Sequence, residues 1–301
     1  MKQITFNILF IISLFAITGI HTGCKPPRTD KQEKLSVTID PQKYFLESIV
    51  GDKFSVNCIV PSGANPESFD VAPSQMMTLG QSKIYFQVGH LSIENTLVDK
   101  ISQNNPNLKI VNCSDGLEAL LQSDHDHANC GHHHNHGHSG TDPHIWSSPA
   151  TARIIIENMY NAIIEADSLN KEFYTGNYEK LLAKINETDE IIKSYIAKAP
   201  SKTFIIYHPA LSYFAEEYGL EQLSIEYEGK NPSPVQMKDL IDEAKKEGVK
   251  VVFIQQEYDS KNAETVAQAI GGKTVPINLL SYYWNEEMIK VAKALALEWD
   301  E

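Results

Sequence analysis

The sequence predicts an α/β fold of two lobes, each a four-stranded, mostly parallel sheet flanked by helices, with a long helix bracing one lobe against the other. Three observations lead there. Strand-like and helix-like segments alternate over residues 35–113 and again over 203–301, the pattern of a parallel sheet covered on both faces. Each stretch offers four strands. Between them, residues 149–200 carry helical periodicity alone, and the second segment there would span about 40 Å at 1.5 Å per residue, too long to sit inside one lobe. The expected organisation is a leader over 1–24, a tether over 25–34, an N-terminal lobe over 35–148 with a histidine-rich loop at 124–140, the helical segment 149–200 and a C-terminal lobe over 201–301.

In the first lobe, residues 35–39 alternate as a short strand. Asp40-Pro41 then supplies an N-cap and a first-turn proline for a helix ending near Gly51. A strand over 54–60 leads into the turn Pro61-Ser62-Gly63-Ala64-Asn65-Pro66-Glu67, followed by a helical piece around 74–80, a strand over 83–88, a helix near 94–103 and a strand over 108–113. Ser148-Pro149 opens a helix to about Asp167, and the run 170–199 places Leu181, Ile185, Ile192 and Ile196 on one face. The second lobe reads as strand 203–207, helix 209–218 stopped by Gly219, strand 222–227 and helix 234–247 with Ser233 as N-cap. Strand 249–255, a helix to Ile270, strand 274–279 and a helix from Asn285 complete it.

Ligands of open α/β sheets bind outside the carboxyl ends of the strands. Glu67, His144, His208 and Glu257 fall just past, or at, such ends, two from each half. A cleft between the lobes would bring them together.

The formal charge is −13 and no basic cluster interrupts the chain, which excludes nucleic acid as a partner and suits a cationic ligand. Met1-Lys2-Gln3 and the apolar run 4–20 have the charged start and short hydrophobic body of a secretory signal, too short for a membrane span. The run ends at His21-Thr22-Gly23-Cys24, where a small residue before a cysteine resembles a lipoprotein processing site. Cys24 is therefore expected to become the lipidated N-terminus, with loss of Cys24 by ordinary signal cleavage as the alternative. The expected location is the periplasm or cell envelope, anchored to the membrane by lipid, with residues 25–34 as tether. Cys58 and Cys113 lie in separate predicted strands and could pair if those strands are neighbours, while Cys130 sits in the histidine loop and could add a soft ligand.

Seven of the eleven histidines crowd into that loop: His125, His127, His132, His133, His134, His136 and His138. Imidazole titrates near pH 6.5, so at neutral pH these side chains offer lone pairs to zinc, copper or nickel. Their irregular spacing among Gly, Asn, Asp and Ser describes a set of weak, exchanging sites rather than one rigid centre. The loop runs straight into Asp142-Pro143-His144-Ile145-Trp146.

The chain resembles the metal-binding solute-binding proteins of zinc and manganese ABC importers, the ZnuA/TroA type of the cluster A-I family. The resemblance rests on Pro61-Ser62-Gly63-Ala64-Asn65-Pro66, Asp142-Pro143-His144-Ile145-Trp146, Tyr207-His208-Pro209-Ala210 with Phe214, Glu228-Gly229-Lys230 before Pro232-Ser233-Pro234, and the stretch 277–284, in that order. It implies two α/β lobes joined by one long helix, a metal held in the cleft between them, and delivery to a membrane permease by a monomer. It carries metal ligation to His144 and His208. Where the family's zinc members have histidine this chain has Glu67, still an oxygen ligand for zinc, and where some have aspartate it has Tyr283, whose phenol titrates near 10. Glu257, or a water, is expected in the fourth position. Glu226 and Glu228 would line the rim or pair with Lys230, and Asp142 would orient an imidazole or cap its turn.

Zinc is the expected cargo, with manganese as the alternative because the Glu67 substitution makes the ligand set harder. A zinc hydrolase needs a similar open site, but the sequence has no His-Glu-x-x-His helix, no Gly-x-Ser-x-Gly turn and no general base beside the matched ligands. No enzymatic activity is expected. A surface metal store or adhesin is the remaining alternative, separated from an importer component by metal handover to a permease.

Overall fold

The computed structural model describes residues 32–119, 141–227 and 229–299. The leader with Cys24, the seven loop histidines, Cys130 and Glu228 lie outside the described residues.

In the N-terminal lobe, β1 (Glu33–Val37), α1 (Asp40–Val50), β2 (Phe54–Cys58), α2 (Pro73–Gly80), β3 (Ile84–Gln87), α3 (Ser92–Asn104) and β4 (Lys109–Asn112) alternate as the sequence predicts. Two long helices follow, α4 (Pro149–Ala166) and α5 (Lys171–Ile196). The C-terminal lobe repeats the alternation with β5 (Thr203–Ile206), α6 (Ser212–Glu217), β6 (Glu221–Ser224), α7 (Pro234–Lys246), β7 (Val251–Gln255), α8 (Lys261–Ile270), β8 (Lys273–Ile277) and α9 (Trp284–Leu295). The strand orders are β2-β1-β3-β4 and β6-β5-β7-β8, so the two lobes share one topology. Every strand pairing is parallel.

Two local readings change. The N-cap of α1 is Ile39 rather than Asp40, and the Gln42 side chain takes the capping role by accepting from the Thr38 and Ile39 N–H groups. Asp40 instead lies in the first turn, where its charge complements the helix dipole. The helix expected over 209–218 shortens to α6 because the Ala210 N–H turns back to the His208 carbonyl at 2.8 Å. Cys58 ends β2 and Cys113 follows β4, the two outer strands of one sheet, with β1 and β3 between them. Three strand spacings of about 4.8 Å far exceed what a disulfide spans, and both thiols are free.

The helix α5 has 26 residues and buries Leu181, Ile185, Ile192 and Ile196, the face expected from their spacing. It packs on α1 of the first lobe, on α4, and on α9 of the second. The lobes also lock through two buried tryptophans. The Trp146 indole N–H donates to the Leu279 carbonyl at 2.9 Å, and the Trp284 indole N–H donates to the Trp146 carbonyl at 2.6 Å. Phe45 of α1 packs edge-on against Trp284 at 5.3 Å. One apolar core therefore runs through both lobes and the helices between them, with a smaller cluster around Ile205 and Val252 confined to the second lobe. Among the described residues no helix is long and apolar enough to cross a membrane.

Candidate metal centre

Among the described residues, one group of potential metal ligands converges: Glu67, His144 and His208 each offer an atom within 4.8 Å of the others. These atoms face a cavity of about 30 Å³, room for a single ion and little else. Glu257 lines the same cavity. The four residues anticipated from the sequence thus share one site.

His208 follows β5, the strand at which the order of the second sheet reverses, where open α/β sheets place their ligands. Its backbone is held by the amide of Gln255 at the end of β7. The Gln255 Nε2 donates to the His208 carbonyl at 2.7 Å, and the His208 N–H donates to Gln255 Oε1 at 3.2 Å. The ring stacks on Tyr258 with centroids 5.0 Å apart and planes 11° apart. Nδ1 lies 3.0 Å from Glu226 Oε2. Nε2 is left buried and without a hydrogen-bond partner, 3.5 Å from Glu67 Oε1.

His144 reaches the cleft differently. Among the described residues 141–143 no strand precedes it directly; it caps the 3-10 turn Ile145–Ser147 that leads to α4. Asp142 Oδ1 accepts from the His144 backbone N–H at 2.9 Å and lies 2.7 Å from its Nδ1. The Asp142 carbonyl accepts from the Tyr213 hydroxyl at 2.8 Å, tying this turn to the second lobe. His144 Nε2 is 3.7 Å from Glu67 Oε1, and the two imidazole centroids are 5.2 Å apart.

Glu67 sits on the loop after β2. The Asn65 carboxamide accepts its N–H at 2.8 Å, an Asx turn that aims the side chain into the cleft. The same Asn65 donates to the Tyr258 hydroxyl at 3.2 Å across the cleft. The neighbouring His208 imidazole lowers the Glu67 pKa against the opposing effect of burial, so this carboxylate is ionised. Burial alone would depress His208, but the Glu226 and Glu67 carboxylates outweigh it and hold this imidazole up at about 9. Burial raises Glu257, whose Oε1 has no hydrogen-bond partner.

Two imidazole nitrogens and one carboxylate oxygen are a zinc-type donor set. With bonds of about 2.0–2.1 Å, tetrahedral zinc holds neighbouring donors roughly 3.4 Å apart. The separations of 3.5 and 3.7 Å from Glu67 to the two histidines match that edge. Buried polar atoms without partners are costly and uncommon, yet two of them, His208 Nε2 and Glu257 Oε1, belong to residues that line this cavity. A cation in this cavity would give both a partner.

Reading the sequence alone misses Gln255, Tyr258 and the inward aim of Glu226. The Asn65-Pro66-Glu67 order carried the Asx-turn signal, but nothing local marks Gln255 as a backbone clamp. Glu226, expected at the rim or paired with Lys230, is the Nδ1 partner of His208.

A family model for zinc-uptake complex component A, periplasmic (ZnuA), matches residues 36–289. The high-affinity zinc uptake system protein ZnuA of Bacillus subtilis strain 168 is 31% identical over 291 residues, covering 94% of this chain and 91% of its own. The zinc-binding protein AdcA of Streptococcus pyogenes serotype M3 is 26% identical over 300 residues; the match covers 96% of this chain but 58% of AdcA. Among solved structures, a crystal structure of ZnuA superposes with a TM-score of 0.77 at 28% identity, covering 88% of this chain and 98% of that one. A zinc-bound ZnuA lacking its residues 138–173 matches with a TM-score of 0.77 at 29% identity, covering 88% of this chain and 96% of its own.

Proposed function

Because the chain belongs to the ZnuA family of periplasmic zinc-uptake components, we propose that it captures one zinc ion between its lobes, outside the cytoplasm, and passes it to the permease of an ABC importer. The observation that supports this reading is that Glu67 Oε1 lies 3.7 and 3.5 Å from Nε2 of His144 and of His208, near the edge length of a tetrahedral zinc site, with His208 Nε2 left unpartnered. Glu257 is the fourth ligand in this reading, supported by its unpartnered oxygen in the same cavity. The protein binds and releases; no bond is made or broken.

The remaining parts of the reading rest on the sequence. Cys24 carries the lipid anchor, residues 25–34 form the tether, the protein works as a monomer, and the loop at 124–140 collects metal for the tight site. Manganese is the second reading, favoured by Glu67 in place of the histidine expected of zinc members.

Calorimetric titration of the soluble domain, with zinc and with manganese, tests the proposal. One tight zinc site per chain, stronger than manganese and weakened at least a hundredfold in His208→Ala, is expected; even ligand-orienting groups are typically worth ten- to hundredfold. Tight zinc binding unchanged in His208→Ala would place the site elsewhere.

A further inference from the structure

His208 is fixed by three contacts that control three different freedoms. Gln255 holds the backbone, and Tyr258 holds the ring plane. Neither distinguishes the two ring nitrogens, because a half-turn of the imidazole leaves the backbone pairing and the stack in place. The hydrogen bond between Nδ1 and Glu226 Oε2 at 3.0 Å does that, while Glu67 Oε1 stands off at 3.5 Å from Nε2.

The backbone that carries the Glu226 carboxylate is held by the fold. The Glu226 N–H donates to the Tyr207 carbonyl at 2.9 Å, and the Ser224 hydroxyl donates to the Glu226 carbonyl at 3.1 Å. Beyond it, Tyr227 and Lys230 exchange backbone hydrogen bonds at 3.0 Å in both directions, closing a tight turn. Gly229 adopts φ +74°, a left-handed conformation that favours glycine, and a Cβ there would meet Glu226 Oε1 at 3.7 Å. The far end is tied down by the Tyr207 hydroxyl, which donates to Asn231 Oδ1 at 2.9 Å. The carboxylate that results is 11% exposed and aimed at Nδ1.

We propose that Glu226 is a positioning residue for metal capture, holding His208 as the Nδ1-protonated tautomer so that Nε2 presents its lone pair to the cleft. The reason is that an ionised carboxylate only accepts hydrogen bonds, so the ring nitrogen facing it carries the proton and the opposite nitrogen is free for a metal. This inference rests on the metal site proposed above. It assigns to the turn after β6 a role in the site that its exposed Tyr227 and Lys230 would not suggest.

The test compares Glu226→Ala and Glu226→Gln with the wild type and His208→Ala, by competitive zinc titration and by long-range ¹H–¹⁵N spectra of the metal-free protein at a pH where the ring is neutral. Glu226→Ala is expected to weaken zinc ten- to hundredfold and to shift His208 toward the Nε2-protonated tautomer. Glu226→Gln keeps an acceptor oxygen and is expected to restore both the tautomer and most of the affinity. If the alanine variant melts before it can be titrated, the tautomer and affinity of the glutamine variant decide the matter. Wild-type affinity in Glu226→Ala, or equal losses in both variants with an unchanged tautomer, would overturn the positioning role. Should zinc binding not depend on His208 at all, the metal-site reading itself falls; dependence on His208 without dependence on Glu226 removes only this inference.

Discussion

The two sides of the cleft contribute ligands of opposite character. His208, from the second lobe, is 7% exposed and held at its backbone, its ring face and its Nδ1. Glu67, from the first lobe, has a side chain 36% exposed, and its loop is fixed at the backbone N–H by Asn65. A ligand already held in its bound geometry loses little freedom when metal arrives, whereas a half-exposed carboxylate must be ordered. In the proposed site the imidazoles would therefore supply affinity that the fold has prepared in advance. Glu67 would supply adjustment, and with it the choice between metals.

The largest effect that sharpens this contrast comes from pH. His208 is raised to about 9 from an ordinary value near 6.5, and a metal must displace that proton. Zinc affinity is expected to fall about tenfold per pH unit below 9, roughly three-hundredfold by pH 6.5, with a proton released on binding. The window lies higher than free imidazole suggests, because two carboxylates flank this ring. The sign reverses for the metal-free fold. A raised pKa contributes stability that is fully present below about 6.5 and is lost as pH rises through 9, on the order of 3 kcal/mol. Calorimetric titration and chemical denaturation across pH 6 to 9.5 check both directions; an affinity flat between pH 9 and 7 would mean that His208 is not a ligand.

A smaller effect is expected at Glu67. Glu67→Ala should weaken zinc and manganese alike by about tenfold, since water replaces one oxygen donor while both imidazoles stay in place. Glu67→His should raise the zinc-to-manganese affinity ratio, because imidazole suits zinc and carboxylate also suits manganese. Glu67→Ala should also lower the stability of the metal-free fold below pH 9, because it removes one of the two carboxylates that hold His208 charged. Competition between the two metals measures the ratio, and an unchanged ratio in Glu67→His would remove Glu67 from metal selection.

Much of this was legible in the chain because it follows from periodicity. The α/β alternation, the buried face of α5 and the Ser233 cap of α7 each rest on residues close in sequence. Glu67, His144 and His208 were visible as metal-binding types beside motif residues, and the fold brings them together. What escaped notice depends on distant pairing. Gln255 holds a residue 47 positions away, Glu226 one 18 positions away, and Asn65 meets Tyr258 across 193 residues. No local pattern encodes such contacts: the first two exist only once the second sheet has formed, and the third only once the two lobes are docked through Trp146 and Trp284.

The central claim is a single metal ion shared by the two lobes, and zinc-edge anomalous diffraction from the zinc-soaked protein lacking residues 124–140 tests it most directly. One strong peak is expected in the cleft, about 2.0–2.1 Å from Nε2 of both His144 and His208 and within bonding distance of a Glu67 oxygen. A peak bonded to one histidine alone, or no peak between the lobes at all, would contradict it.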